Sequence, residues 1–90
     1  MPDTLNRALS AQSRLKIAEI TSEITSLRGQ ILDCHLELLA IANAQESLIR
    51  ADRVRDLKDT IFGCRIEIQA RLVQIRRMRA DRDRHNQSYA

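Results

Sequence analysis

The feature that most restricts the fold of this chain is a run of apolar residues spaced alternately three and four positions apart. The run consists of Ile17, Ile20, Ile24, Leu27, Ile31, Cys34, Leu38 and Ile41, and it continues to Leu48 with Gln45 in the gap. Such a heptad repeat, lettered a to g with apolar residues at a and d, predicts an α-helix that packs along one seam on another helix. In this lettering Ile17 is an a position and Ile20 is a d position.

A second heptad run follows, and it is out of phase with the first. It occupies Val54, Leu57, Ile61, Cys64, Ile68, Arg71, Ile75 and Met78. Its first a position, Val54, comes nine residues after Gln45, where seven would keep the phase. Nine residues are two and a half helical turns, so a straight rod would present the two seams on opposite faces. The sequence therefore predicts an all-α fold, an antiparallel two-helix coiled-coil hairpin. The alternative is one continuous helix with a local phase shift.

The pairing of the two runs predicts where the chain turns. If paired residue numbers sum to 95, the layers extend from Ile17/Met78 to Ile41/Val54, and Ile24/Arg71 is the one layer with a charged member. This register places helix 1 at about residues 4–45, the turn at about 46–49 and helix 2 at about 50–80, so that residues 1–80 form one domain. A register that sums to 102 moves the turn to about 49–53 and stays open at this point.

Composition agrees with long helices and few turns. The 90 residues include only two glycines, one proline and two aromatic residues. Residues 81–90 have no apolar periodicity, and we expect them to be a frayed or disordered basic tail. No apolar run approaches the ~20 residues that cross a bilayer, and residues 1–4 lack the features of a signal peptide. We therefore expect a cytoplasmic protein without a membrane partner.

The middle of each predicted helix carries more apolar side chains than one seam needs. Leu32, Leu36, Leu39, Phe62, Ile66 and Val73 lie at b and f positions, which project away from the seam. Because an exposed apolar patch favours association, these residues predict a protein interface. We expect a homo-oligomer, in the simplest case a homodimer that forms a four-helix bundle. A groove for a different protein is the alternative, and Gly29 and Gly63 beside the stripe are compatible with close approach of another backbone.

No catalytic, cofactor-binding or metal-binding pattern is present in the sequence. It has no phosphate-binding loop, no CxxC, no HExxH and no nucleophile motif. Cys34, His35 and Cys64 lack a fourth ligand at a suitable spacing for zinc, and the two cysteines are expected to be packing thiols. We therefore expect no enzyme activity, no cofactor and no small-molecule substrate.

Basic residues concentrate in the second half of the chain. Residues 1–49 contain four basic and six acidic side chains, whereas residues 50–90 contain eleven and six. The candidate nucleic-acid-binding residues are Arg71, Arg76, Arg77, Arg79, Arg82 and Arg84. The leading hypothesis is a small non-catalytic interaction module, an adaptor, chaperone-like protein or inhibitor that acts through its apolar faces. The alternative is a small dimeric RNA- or DNA-binding regulator that uses these arginines.

Overall fold

The structure, a computed structural model, describes residues 2–44 and 49–87. These residues form two α-helices, α1 (Pro2–Asn43) and α2 (Ile49–Gln87), which pack against each other as a hairpin. The Cα atoms extend over 68 × 15 × 14 Å. That length is close to the ~63 Å of α1 alone, at 1.5 Å per residue. The predicted hairpin is therefore confirmed, and the continuous helix is excluded.

The ends of the helices follow from local backbone chemistry. Pro2 is tolerated in the first turn of α1 because it needs no intrahelical hydrogen-bond donor there. At the other end, the backbone N–H of Ala44 donates to the carbonyl of Ile41 at 3.2 Å, which closes a tighter final turn. α1 thus ends at Asn43, slightly before the predicted residue 45. The predicted turn at 46–49 lies mostly outside the described residues, and Ile49 already belongs to α2.

α2 continues well past its predicted end near residue 80 and reaches Gln87. No glycine or proline follows Gly63, so the sequence contains no strong helix-ending residue there. An ion pair between Arg84 and Asp81, one turn apart, lies on this extension. Residues 81–87 thus have no apolar face for packing, but they remain helical. The predicted fraying of residues 81–90 stays a prediction, and residues 88–90 lie outside the described part of the chain.

Two apolar clusters form the core along the seam. The first contains the buried residues Ile20, Ile24 and Ile75 with half-buried Ile17, Ile68, Leu72 and Met78 around them. The second contains the buried residues Cys34, Leu57 and Ile61 with half-buried Ile31, Leu38 and Ile41. From Ser10 to Arg82, every a and d position whose side chain is described is buried or half-buried. The heptad assignment therefore identifies the contact face of both helices.

The membership of the clusters supports the first of the two registers. Ile20 clusters with Ile75, and Cys34 clusters with Ile61, as expected when paired numbers sum to 95. In the other register Ile20 would lie opposite Arg82, about two turns away from Ile75.

Candidate interaction surfaces

The flanks of the seam differ from each other, and ion pairs identify which positions meet on one of them. Arg53 donates to Glu37 through both Nε and Nη2, at 2.8 Å and 2.9 Å. Arg71 donates to Glu23 at 2.9 Å and to Glu67 at 2.6 Å. Glu37, Arg53, Glu23 and Glu67 are all g positions. Because the g positions of α1 and α2 meet on one side of the hairpin, the e positions of both helices must lie along the other side.

These contacts shift the pKa values of the groups involved. The hydrogen bond from Arg53 lowers the pKa of the Glu37 carboxyl, partial desolvation opposes this shift, and the positive charge of Arg53 adds to it. The same hydrogen bond raises the pKa of Arg53. Hydrogen bonds to Glu67 and then to Glu23 raise the pKa of Arg71. The lowered pKa of Glu37 keeps the Glu37–Arg53 pair charged at neutral pH, and this pair joins the g edges of the two helices.

The predicted nucleic-acid-binding arginines do not form one surface. Arg71 is bound to two carboxylates across the seam, and Arg84 is paired with Asp81. Arg82 is half-buried at an a position, and Arg77 lies at a c position on the g side. Only Arg76 and Arg79, at b and e positions, lie on the side opposite the acidic pairs. The prediction treated closeness in sequence as closeness in space, whereas a helix distributes consecutive residues around its axis.

The structure instead separates charge between the two sides of the hairpin. The side with the e and b positions, called here the basic face, carries Arg7, Arg14, Arg28, Arg55, Lys58, Arg65, Arg76 and Arg79, all exposed. The side with the c and g positions, called here the mixed face, carries Glu19, Glu23, Asp33, Glu37, Asp56 and Glu67 with a few basic residues among them. Within residues 7–44 and 49–79, no Asp or Glu occupies an e or b position. Among the described residues, no side chain of the basic face forms an ion pair.

The predicted protein-interface residues fall into two separate groups. Leu32, Leu36 and Leu39 are each more than half exposed on α1, and Phe62 and Ile66 are likewise more than half exposed on α2. Val73 differs from these five residues because it is half-buried, although its f position points away from the seam. Because b and f positions point away from the seam, the α1 group and the α2 group lie on opposite edges of the hairpin. The structure therefore divides the single predicted interface into two.

On α1 the exposed apolar group is part of a longer uncharged surface that the sequence reading missed. Leu15, an f position, is 72% exposed and is the most exposed large apolar residue of the described side chains. The surface, called here the outer face of α1, consists of Ala11, Leu15, Ala18, Ser22, Thr25, Gly29, Leu32, Leu36, Leu39 and Asn43. All ten of these residues are exposed and none is charged. Reading the b and f rows over the whole helix, instead of its middle alone, would have revealed this surface.

The outer face of α2 is different in character. Its apolar patch, Phe62 and Ile66, is bordered by Asp59, Arg55 and Gln69 in the same b and f rows. Leu72, at an e position, packs into the first core cluster. α2 therefore presents a short apolar patch with a polar rim, whereas the outer face of α1 is a continuous uncharged surface.

Neither glycine is required by packing inside the hairpin. A Cβ atom added at Gly29 or at Gly63 would meet nothing within 4 Å. A glycine inside a helix costs ~1 kcal/mol relative to alanine. Close approach of another backbone, the predicted reason for these glycines, is thus not supplied by this chain itself.

The cysteines and histidine considered for zinc are separated by burial. Cys34 and Cys64 are buried free thiols, and Cys64 Sγ donates to Gln30 Oε1 at 3.4 Å. His35 is exposed at an e position. Within residues 2–44 and 49–87, no three His, Cys, Asp or Glu side chains come together as a set of metal ligands. In the same residues, neither helix has the length and apolar content needed to cross a membrane.

The fold and its surfaces define the class of the molecule as an all-α two-helix hairpin with exposed apolar residues on the outer side of each helix. Comparison with known proteins adds no relative: no family model, no curated protein and no solved structure matches the chain.

Proposed function

We propose that this hairpin is a small non-catalytic protein-interaction module that binds through the apolar residues on its outer faces. The observation that carries the proposal is that six large apolar side chains, four on α1 and two on α2, are more than half exposed while a complete seam already joins the helices. Leaving such side chains in water is unfavourable, and contiguous exposed apolar patches mark interaction sites. An adaptor, a chaperone-like protein or an inhibitor would all use such a surface.

The patch on α2 has the composition of a contact site for a different protein. Phe62 is 66% exposed and Ile66 lies one turn further along the same edge. An aromatic anchor surrounded by charged and polar side chains resembles the centre and rim of a transient interface. The nearby Asp59 and Arg55 leave a partner's polar groups with available counterparts at the rim.

The test is affinity capture from extracts of the native host with the whole chain as bait, with and without nuclease. The double variant Phe62→Asp/Ile66→Asp removes the patch, and Thr60→Asp with Gln74→Asp is the matched control on exposed polar positions of the same helix, away from the patch. We expect a protein that resists nuclease, binds wild type and control, and is lost with the double variant. Equal capture by all three baits would contradict the proposal, as would the absence of any captured protein.

A second candidate function, nucleic-acid binding, is favoured by the basic face. Among the described residues, its arginines and Lys58 form no ion pair with an acidic side chain. Arg14 and Arg79 lie near one end of the face and Lys58 near the other, so the face runs along most of the hairpin. A long surface of one charge sign, rich in arginine, is suited to a phosphodiester backbone. The residues concerned differ from the predicted set, and they come from both helices.

Two triple variants of equal net charge test this candidate. Arg28→Gln/Lys58→Gln/Arg65→Gln removes charge from the basic face, whereas Lys16→Gln/Arg53→Gln/Arg77→Gln removes it from the mixed face. The first variant should bind single-stranded RNA or DNA at least tenfold more weakly and with a shallower salt dependence, because fewer counterions are released. Equal losses in both variants would indicate a response to net charge alone. If wild type does not bind at low salt, the candidate fails.

A further inference from the structure

The outer face of α1 has the spacing of a second coiled-coil seam. Its residues follow one another at alternating steps of four and three from Ala11 to Asn43. That is the same heptad spacing as the seam to α2, turned to the far side of the helix. Over this length α1 presents leucines and small residues and no charged side chain, and the hairpin covers none of them.

We propose that this face binds the same face of a second copy of the chain, with the two α1 helices antiparallel about a two-fold axis. The inference rests on the proposed function, because it names the partner of the α1 part of the apolar surface. The pairing that covers the full face joins residues whose numbers sum to 54. It places Leu39 against Leu15, Leu36 against Ala18, Leu32 against Ser22 and Thr25 against Gly29 of the other copy.

The sizes of the paired side chains match. Apart from Leu15, the large residues of the face lie in its carboxyl-terminal half, at Leu32, Leu36 and Leu39, and small residues fill the rest of the amino-terminal half. An antiparallel arrangement opposes the two halves, so Leu36 enters the space above Ala18 and Leu32 enters the space above Ser22. Gly29 lies near the two-fold axis, where the helices come closest. The open space around a Cβ at Gly29 within the chain is then occupied by the second copy.

Charges beside the face select this pairing. In it, Arg28 lies near Thr21 of the second copy, and Asp33 lies near Ser26. A shift by one heptad in one direction puts Arg28 and Asp33 each against its own copy on the axis. A shift in the other direction puts Arg14 near Arg28 and Glu19 near Asp33. Like charges placed together disfavour both shifts, so the uncharged face and its charged borders specify one register.

The exposed area of the hairpin is also large enough to need such a partner. Its accessible surface is 7124 Å². A compact monomer of 10.3 kDa would expose about 5,400 Å² by the usual scaling with mass. The excess of about 1,700 Å² exceeds the ~800 Å² that each partner contributes to a standard interface. A second copy on α1 therefore brings the molecule closer to the surface expected for its mass.

The two glycines provide a matched pair of variants. Gly29→Leu and Gly63→Leu both replace a helical glycine whose Cβ position is free inside the hairpin, so both should keep the hairpin folded. Only Gly29 is on the proposed contact. Sedimentation equilibrium should show a wild-type dimer at low micromolar concentration, a dimer dissociation constant at least tenfold higher for Gly29→Leu, and a value within about twofold of wild type for Gly63→Leu.

Leu36→Glu provides a second measurement by a different mechanism. It places a charge opposite Ala18 of the other copy and should also dissociate the dimer, with circular dichroism reporting whether the hairpin remains. A wild type that is monomeric at 100 μM overturns the proposal, and so does a dimer that survives both Gly29→Leu and Leu36→Glu. Because neither substitution touches Phe62 or Ile66, loss of the dimer with retained capture of a protein partner separates this inference from the proposed function.

Discussion

At the scale of single residues, Arg71 shows how a charged side chain can occupy a seam position. Its side chain is 26% exposed, and its guanidinium reaches Glu23 across the seam and Glu67 one turn back on its own helix. The stem covers apolar surface while the charged group stays at the edge. The sequence can predict this contact with Glu23. The register that sums to 95 places Arg71 opposite Ile24 and therefore beside Glu23. The second partner, Glu67, followed from its i, i+4 spacing but was not predicted.

Arg71→Leu should leave the thermal unfolding midpoint unchanged or raise it. Leucine restores an apolar d position, and the two carboxylates left behind are themselves exposed enough to be hydrated. Thermal unfolding followed by circular dichroism measures the change, with Arg71→Gln as the control that removes the charge without adding a branched apolar group. A clear fall in the midpoint for leucine would show that the two ion pairs stabilise the hairpin more than apolar burial at this layer does.

Glu37 predicts a pH dependence of stability with a definite sign. Because the folded state lowers the pKa of this carboxyl, Glu37 stabilises the hairpin above its unfolded pKa, which is about 4.3 for glutamate. That contribution is lost as the pH falls through the lower, folded pKa. The difference in unfolding midpoint between wild type and Glu37→Gln should therefore be present at pH 7 and shrink on acidification below about pH 4. A difference that stays constant down to pH 2 would contradict the assignment.

At the scale of the elements, the heptad pattern predicted the helices and their antiparallel pairing, because apolar spacing directly selects the contact face, and it left two registers open, of which the core clusters support the one that sums to 95. It did not predict where the helices end. α1 ends at Asn43 and α2 extends to Gln87, and no glycine or proline marks either boundary in the sequence. The candidate surfaces were predicted only in part for a different reason. The heptad pattern assigns the a and d positions to the seam. The other surfaces become clear only when the e positions of both helices are placed on one side of the hairpin and the g positions of both helices on the other.

Two isoleucine-to-alanine substitutions distinguish the seam from the outer face of α2. Ile20 is 2% exposed in the first core cluster, whereas Ile66 is 53% exposed. Ile20→Ala should lower the free energy of unfolding by ~2–5 kcal/mol, as expected for a large residue removed from a core. Ile66→Ala should change it by less than ~0.5 kcal/mol, because little burial is lost and alanine favours helix. Urea unfolding of both variants measures this contrast, and similar losses would mean that Ile66 is covered in the free protein.

At the scale of the whole molecule, the hairpin is far from compact. Its radius of gyration is 20.2 Å, whereas a compact 90-residue domain would have about 12 Å. A two-helix rod buries one seam and leaves the other faces of each helix in water. Most of the surface of each helix is therefore available for contact with other molecules. Such a shape suits a protein that acts by contact along its length.

The proposed dimer would also combine the two basic faces. A two-fold axis perpendicular to the helices keeps the e positions of both copies on one side of a four-helix layer. Each residue turns about 100° around the helix axis. The outer face of α1 therefore lies about 150° around α1 from the seam to α2, measured through the e positions. The layer is thus concave on its basic side. Self-association through α1 and nucleic-acid binding through the basic face are therefore compatible in one assembly.

The length of the dimer is the last prediction. In the proposed pairing the two-fold axis crosses α1 at the level of Leu27. That level is about 7 Å along the helix from the middle of α1, at 1.5 Å per residue. Two hairpins related by this axis overlap along most of their length, so the longest dimension should increase only from about 70 Å to about 80 Å while the mass doubles. Small-angle X-ray scattering of wild type measures this dimension, and Gly29→Leu supplies the monomer for comparison. A dimer joined end to end would instead extend to about 135 Å, and a longest dimension above ~110 Å would exclude the side-by-side pairing of α1.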